Sequence, residues 1–216
     1  IATLEDPFPN GLDQPLGAAG GMETNLGQNI SFFAEKRKAP YAQKWSFSLQ
    51  QQLPESFVVE ASYVGNRGTR LPITRHINNT PAQYLSTRPT RDQETINYLT
   101  ANLPNPFFGI PQVASQGTSA SRARLLQPYP HFGEISFIDH AGYSWYHSFQ
   151  SRVEKRFSKG YTFQMAYTFS KAMEAMEFLN RTDPMPYESL AGIDRAHRLT
   201  GSGQWELPYG RGRKWG

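Results

Sequence analysis

Five histidines, His76, His131, His140, His147 and His197, are the side chains best suited to metal binding or proton transfer near neutral pH. Their spacing supports neither role. No H-E-x-x-H pair puts two of them on one helical face, and there is no cysteine to complete a zinc set. His76, His131 and His140 fall in what reads as a long loop, and His147 and His197 near strand starts, so loop or interface roles fit them best. "GRGRKWG" lacks the G-x-G-x-x-G spacing and follows a strand into a turn, which argues against a dinucleotide site. Neither G-x-S-x-G nor a P-loop is present. The expectation is a chain that is not an enzyme and holds no cofactor or metal.

Two other groups of residues could meet a ligand. In the aromatic stretch "QPYPHFGEISFIDHAGYSWY", Tyr129, His131, Phe132 and Tyr143 could contact an external molecule, although aromatics also pack large loops on themselves. Arg152, Glu154, Arg156 and, across a hairpin, Gln164 line one strand face. A solvated wall with cross-strand ion pairs is the plain reading of that face, and a substrate path the sharper one.

The elements that carry these residues follow a period of two, the mark of strands with unlike faces. In "KWSFSLQQQL", Trp45, Phe47, Leu49 and Leu53 oppose Ser46, Ser48, Gln50 and Gln52. After the turn "LPES", Phe57, Val59, Ala61 and Tyr63 oppose Glu60 and Ser62. Phe149 and Val153 oppose Gln150, Arg152, Glu154 and Arg156, and "SKG" then turns the chain, with Gly160 available for a positive φ. Tyr161, Phe163, Met165, Tyr167 and Phe169 oppose Thr162, Gln164, Ala166 and Thr168. Leu199, Trp205 and Leu207 oppose Arg198, Thr200, Gln204 and Glu206.

Connections between these segments alternate between short and long. The sequence divides into a loop (1–41), a hairpin (42–66), a long external loop (67–143), a second hairpin (144–171), an external loop (172–196), and a strand and turn (197–216). Within the first long connection, "TRDQETINYLTANL" has helical spacing at Ile96, Leu99 and Leu103 behind Asp92. Loops this long count against a compact soluble domain but suit a membrane barrel, whose turns are short at one rim and loops long at the other.

Composition agrees. The 216 residues are 13% aromatic and only 19% charged, with 18 Gly and 16 Pro and a mean hydropathy of −0.59. No run of about 18 apolar residues exists, so no transmembrane helix is expected. The net charge of +4 is modest and its carriers scattered, so no nucleic-acid partner is expected. An oligonucleotide-binding barrel would interleave aromatics with Lys or Arg on one face, and here those types separate onto opposite faces. With Ile1 first and no signal peptide, the chain reads as a piece of something longer. Lys155 falls on the aromatic face close to the turn, where an interfacial position is expected.

The segments "PYAQKWSFSLQQQLPESFVVEASYVGNRGTRLP", "NLPNPFFGI", "LLQPYPHFGEI", "YHSFQSRVEKRFSKGYTFQMAYTFSKAME" and "DRAHRLTGSGQWELPYGRGRKW" occur in this order. Together they resemble the barrel of Oar-like TonB-dependent receptors, which often carry an N-terminal carboxypeptidase-regulatory-like domain and abound in acidobacteria. The resemblance covers roughly residues 39–216. It implies a bacterial outer-membrane transporter of about 22 strands, lipid around it, an external ligand, and the TonB complex engaged through a plug that this sequence lacks. The expected fold is therefore all-β: an antiparallel meander of about five strands, part of a transmembrane β-barrel, with long external loops carrying short helices. A soluble extracellular or periplasmic β-sheet binding module would show the same alternation strand by strand.

Overall fold

The computed structural model describes residues 19–113 and 117–212 throughout, with residues 5, 8, 9, 11, 12, 15, 17 and 215 besides. In chain order the elements are β1 (Ile30–Phe33), β2 (Tyr41–Leu53), β3 (Phe57–His76), α1 (Gln93–Thr100), β4 (Asn102–Pro104), β5 (Ser119–Ser121), α2 (Arg122–Leu125), β6 (Ile135–Ser158), β7 (Tyr161–Glu177), β8 (Tyr187–Leu190) and β9 (His197–Trp205). They fall into two units. One holds residues 1–32 and 76–136, the other 33–75 and 137–216.

The second unit is the sheet. Its long strands run β2-β3-β6-β7, and both β8 and β9 pair with β7. Neighbours in space are successive long strands in sequence, which is the expected meander. Register keeps the two faces unmixed. Phe47 lies opposite Tyr63 and Gln50 opposite Glu60. Val153 lies opposite Met165, Arg152 opposite Ala166 and Glu154 opposite Gln164, and Tyr167 lies opposite Leu199. Because a one-residue slip would turn every side chain to the other face, this matching selects the register across the whole sheet. Phe163, Met165 and Tyr167 thus share one face, and Gln164, Ala166 and Thr168 the other.

Both short turns lie at the same rim. Pro54–Ser56 closes the β2–β3 hairpin with Glu55 at φ 61° and Ser56 at φ 67°. Lys159 (φ 55°) and Gly160 (φ 82°) close the β6–β7 hairpin, the pair of positive values that the tightest hairpin turns require. Lys159 Nζ reaches Glu55 Oε1 at 2.7 Å, joining one turn to the other. That ion pair holds the Glu55 carboxyl below its usual range and the Lys159 ammonium above its own. The alternation of short and long connections is therefore real.

Several boundaries shift. The expected loop 67–143 opens and closes as strand, because β3 continues to His76 and β6 begins at Ile135. His76 and His140 are accordingly strand residues. The loop 172–196 likewise starts as strand, with β7 ending at Glu177 and β8 lying inside it, and the leading loop 1–41 contains β1. β3 runs through Gly65, Gly68 and Pro72. At roughly 3.3 Å per residue its 20 residues reach about 65 Å, well past an apolar band of about 25 Å. Beyond the band water meets both faces, so the alternation that marks a strand fades.

Gly65 has a packing reason. The indole of Trp45, its partner across the hairpin, lies where a side chain at 65 would stand, with Trp45 Cε2 2.2 Å from an added Cβ. Lys155 also departs from expectation. It sits by the turn, as anticipated, but is fully buried and not spread at a water interface. Its ammonium donates to the Arg156 carbonyl at 3.2 Å and to Ser158 Oγ. It also lies 4.8 Å from the centre of the Tyr161 ring and 5.6 Å from that of Phe57. A register shift between Lys155 and Ser158 makes room for this cage.

Gly65→Val should displace the Trp45 indole and destabilise the sheet by about 1–3 kcal/mol. The comparison of thermal unfolding in detergent with that of the parent chain measures it.

Candidate functional site

The polar face of the sheet brings Arg152, Glu154 and Gln164 together. Arg152 donates from Nη2 to Glu154 Oε2 at 2.6 Å and to Gln164 Oε1 at 3.2 Å. Around them lie Glu60, Ser62, Gln150 and Thr168 on one side, and Thr162, Ser202 and Gln204 on the other. Arg156 is exposed but falls inside the register shift before the turn, so pairing does not align it with the other three. The face is a ladder of paired charges and amides.

Higher on the same face the last strand is interrupted. Leu190 pairs with Met173 and His197 with Phe169, so residues 191–196 span what three residues of β7 span. The surplus is tied down by Ala191 N to Ala172 O, Ser170 N to Ala196 O, and Ala172 N to Asp194 Oδ1 at 2.7 Å. The groove beside it, about 430 Å³, is lined by Tyr146, Gln150, Ser170, Asp194, Arg195 and Arg198 among others. Nothing in the sequence pattern pointed to this bulge, because its residues carry no alternation.

The other face is aromatic. Phe47, Leu49, Met165, Phe169, Leu199 and Trp205 are all exposed. Gln51 also falls on this face, opposite Val59, and donates its amide to the Gln52 carbonyl at 3.1 Å. The apolar stretches Phe57–Gly65 and Tyr161–Phe169 each match the about 9–11 residues a tilted strand needs to cross hydrocarbon. Arg67 and Lys171 are the next residues on that face.

The first unit carries the aromatic loop residues. His131 has Phe132 at 4.6 Å, Phe107 at 6.1 Å and Tyr129 at 6.5 Å between ring centres. Asn78, only 5% exposed, holds this turn. Its Nδ2 donates to the Tyr129 and Gly133 carbonyls at 2.9 and 2.8 Å, and its Oδ1 accepts from Tyr129 N at 3.1 Å. Sequence reading missed Asn78, although "INNTP" has the composition of a turn. Tyr143, expected in the same loop, is a residue of β6 in the other unit. It stacks on Trp145 at 5.8 Å and donates to Glu188 Oε1 at 2.7 Å. The expected helix forms as α1, capped by Asp92, whose carboxylate accepts from Thr95 N, Thr95 Oγ1 and Ser86 Oγ.

Among the described residues no helix is long and apolar enough to cross a membrane. An antiparallel meander with one aromatic face, one hydrated face and its turns gathered at one rim is the wall of a membrane barrel. Residues 1–216 match throughout the family described as Outer membrane beta barrel domain, and the chain belongs to that family. No curated protein and no solved structure matches it. It therefore forms barrel wall in the bacterial outer membrane, where an aromatic face is expected to meet lipid and a polar face the lumen.

Three outcomes follow. In a lipid-embedded barrel, a fluorophore on Met165→Cys should be quenched by a lipid-soluble quencher several times more strongly than one on Gln164→Cys, and equal quenching would refute the assigned faces. Asn78→Ala strands the Tyr129 and Gly133 carbonyls, costing about 1–3 kcal/mol, and hydrogen exchange of residues 128–134 should accelerate. The hydrogen bonds from Ser86, then Thr95, hold the Asp92 carboxyl at about 2, below its usual 3.8. Because that folded value is depressed, the cap's contribution is complete above about pH 4 and lost as pH falls toward 2. Exchange at α1 should rise over that window.

Proposed function

We propose that the chain is the barrel-wall and external-loop portion of a TonB-dependent transporter that takes up an unidentified ligand and catalyses no reaction. The observation that carries this is the Arg152–Glu154–Gln164 ladder, continued by Gln150, Thr168, Ser202 and Gln204. Such a wall suits a wide lumen occupied by water and polar protein, since a barrel just wide enough to be filled by its own side chains needs no such hydration. The resemblance of residues 39–216 to Oar-like receptors supports the same reading. On it, the plug and the TonB-contacting segment belong to parts of the parent protein outside these residues. The aromatic turn around His131 supplies an external surface for the ligand.

The direct test is the full-length parent protein, extracted from outer membranes and passed over immobilised TonB periplasmic domain. Specific retention that is lost on deleting the segment ahead of the barrel supports the reading. A full-length protein without that retention sinks it. The soluble β-sheet module that strand alternation alone would allow is set aside by membership of the outer-membrane barrel family. With Phe47 64%, Leu199 65% and Trp205 68% exposed, residues 1–216 alone should need detergent.

A further inference from the structure

The aromatic face carries one arrangement twice. On β3 and β6, Tyr63 Oη lies 2.7 Å from His147 Nδ1, with ring planes 18° apart. On β7 and β9, Tyr167 Oη lies 2.8 Å from His197 Nδ1, with ring planes 25° apart. The two tyrosines stand the same number of positions beyond the ends of their turns, at Ser56 and Gly160. Each histidine also has a second aromatic neighbour, Trp45 at 6.2 Å for His147 and Phe169 at 5.1 Å for His197. Both histidines are exposed.

A pair that only filled space would not need a polar ring on the face that meets lipid. The chemistry of the pair gives a reason for it. A phenol beside hydrocarbon must use its proton, and the acceptor within reach is Nδ1. That bond leaves the neutral imidazole protonated at Nε2, and a charged imidazolium also carries a proton there. In either state Nε2–H is a donor, and among the described residues it has no protein partner. Lys171 lies directly opposite His147 in the register, and Arg67 follows Gly65 on the same face. All four cationic or donor groups stand at the end of the apolar stretch away from the turns, where headgroups begin.

We propose that the two Tyr–His pairs, with Lys171 and Arg67 beside the first, bind lipid headgroup phosphate at the loop-side interface. The pairs would then fix the depth of the barrel by phosphate recognition as well as by aromatic burial. The occupant is a membrane lipid and not a soluble anion, because the donors border one end of an apolar stretch that lipid covers. The inference rests on membership of the outer-membrane barrel family. Donation to an anionic oxygen makes these charge-assisted bonds.

The test uses the full-length protein in mild detergent, titrated with phosphatidylglycerol or with a phosphate-free diacylglycerol glycolipid, and bound lipid is counted by native mass spectrometry. Heat-modifiable migration on gels reports barrel folding in each sample. Retained phosphatidylglycerol should exceed glycolipid, and its affinity should fall roughly tenfold in His147→Phe/His197→Phe, which keeps the rings and removes the donors. Tyr63→Phe/Tyr167→Phe, which frees the tautomer, should fall between. A heat-modifiable histidine double variant that retains phosphatidylglycerol like the parent overturns the inference alone. Displacement of the lipid by millimolar inorganic phosphate overturns the choice of lipid as occupant. A parent protein that is not heat-modifiable overturns the barrel reading, and this inference with it.

Discussion

Strand register governs nearly everything else in this chain. Hydrocarbon offers no hydrogen bonds, so every backbone group inside it must find a partner on a neighbouring strand. Pairing by itself would allow many registers. The side chains choose among them, because a slip of one residue would drive Glu154, Arg152 and Gln164 into lipid and Phe163, Met165 and Tyr167 into water. The observed pairs, Val153 with Met165 and Glu154 with Gln164, satisfy backbone and faces at once. The rim turns, the girdle of rings and the polar ladder all take their places from that registration.

Around it, smaller devices hold the edges of the pattern. Glu55 and Lys159 tie the two turns, and an exposed pair of this kind is worth little as stability. Its value is positional. Lys155 shows how a charge survives on the aromatic side, taking a carbonyl, a hydroxyl and two ring faces in place of water. Arg75 does comparable work at the loop end of the sheet. It pairs with Asp139 at 2.9 Å, donates to the Asp183 and Pro184 carbonyls, and lies 4.3 Å from the centre of the Phe178 ring. One side chain thus secures the start of the loop that follows β7.

Residue types divide along the same faces. The polar face carries the Arg152–Glu154–Gln164 ladder, the aromatic face its exposed rings, and the loop unit holds His131 among rings in a turn bonded to Asn78.

How far the sequence reached can be judged strand by strand. Where lipid meets one face and water the other, as from Trp45 to Leu53, Phe57 to Tyr63 and Tyr161 to Phe169, the two solvents write a period of two into the residues. Strand identity, sidedness and the rim of the turns were all legible there, as was α1 behind its Asp92 cap, because a cap is a local device. The tertiary structure alone decided the rest. The outer parts of β3 and β6 lie beyond the apolar band and keep no alternation, and the close approach of Trp45 to Gly65 and of Ser144 to Gly68 shows only in three dimensions. Asn78 reaches residues about fifty positions away, the bulge at 191–196 is measured only against β7, and His147 meets Tyr63 across a gap of 84 residues. Such meetings depend on which strands the sheet's register brings side by side, and no local pattern encodes a partner that distant.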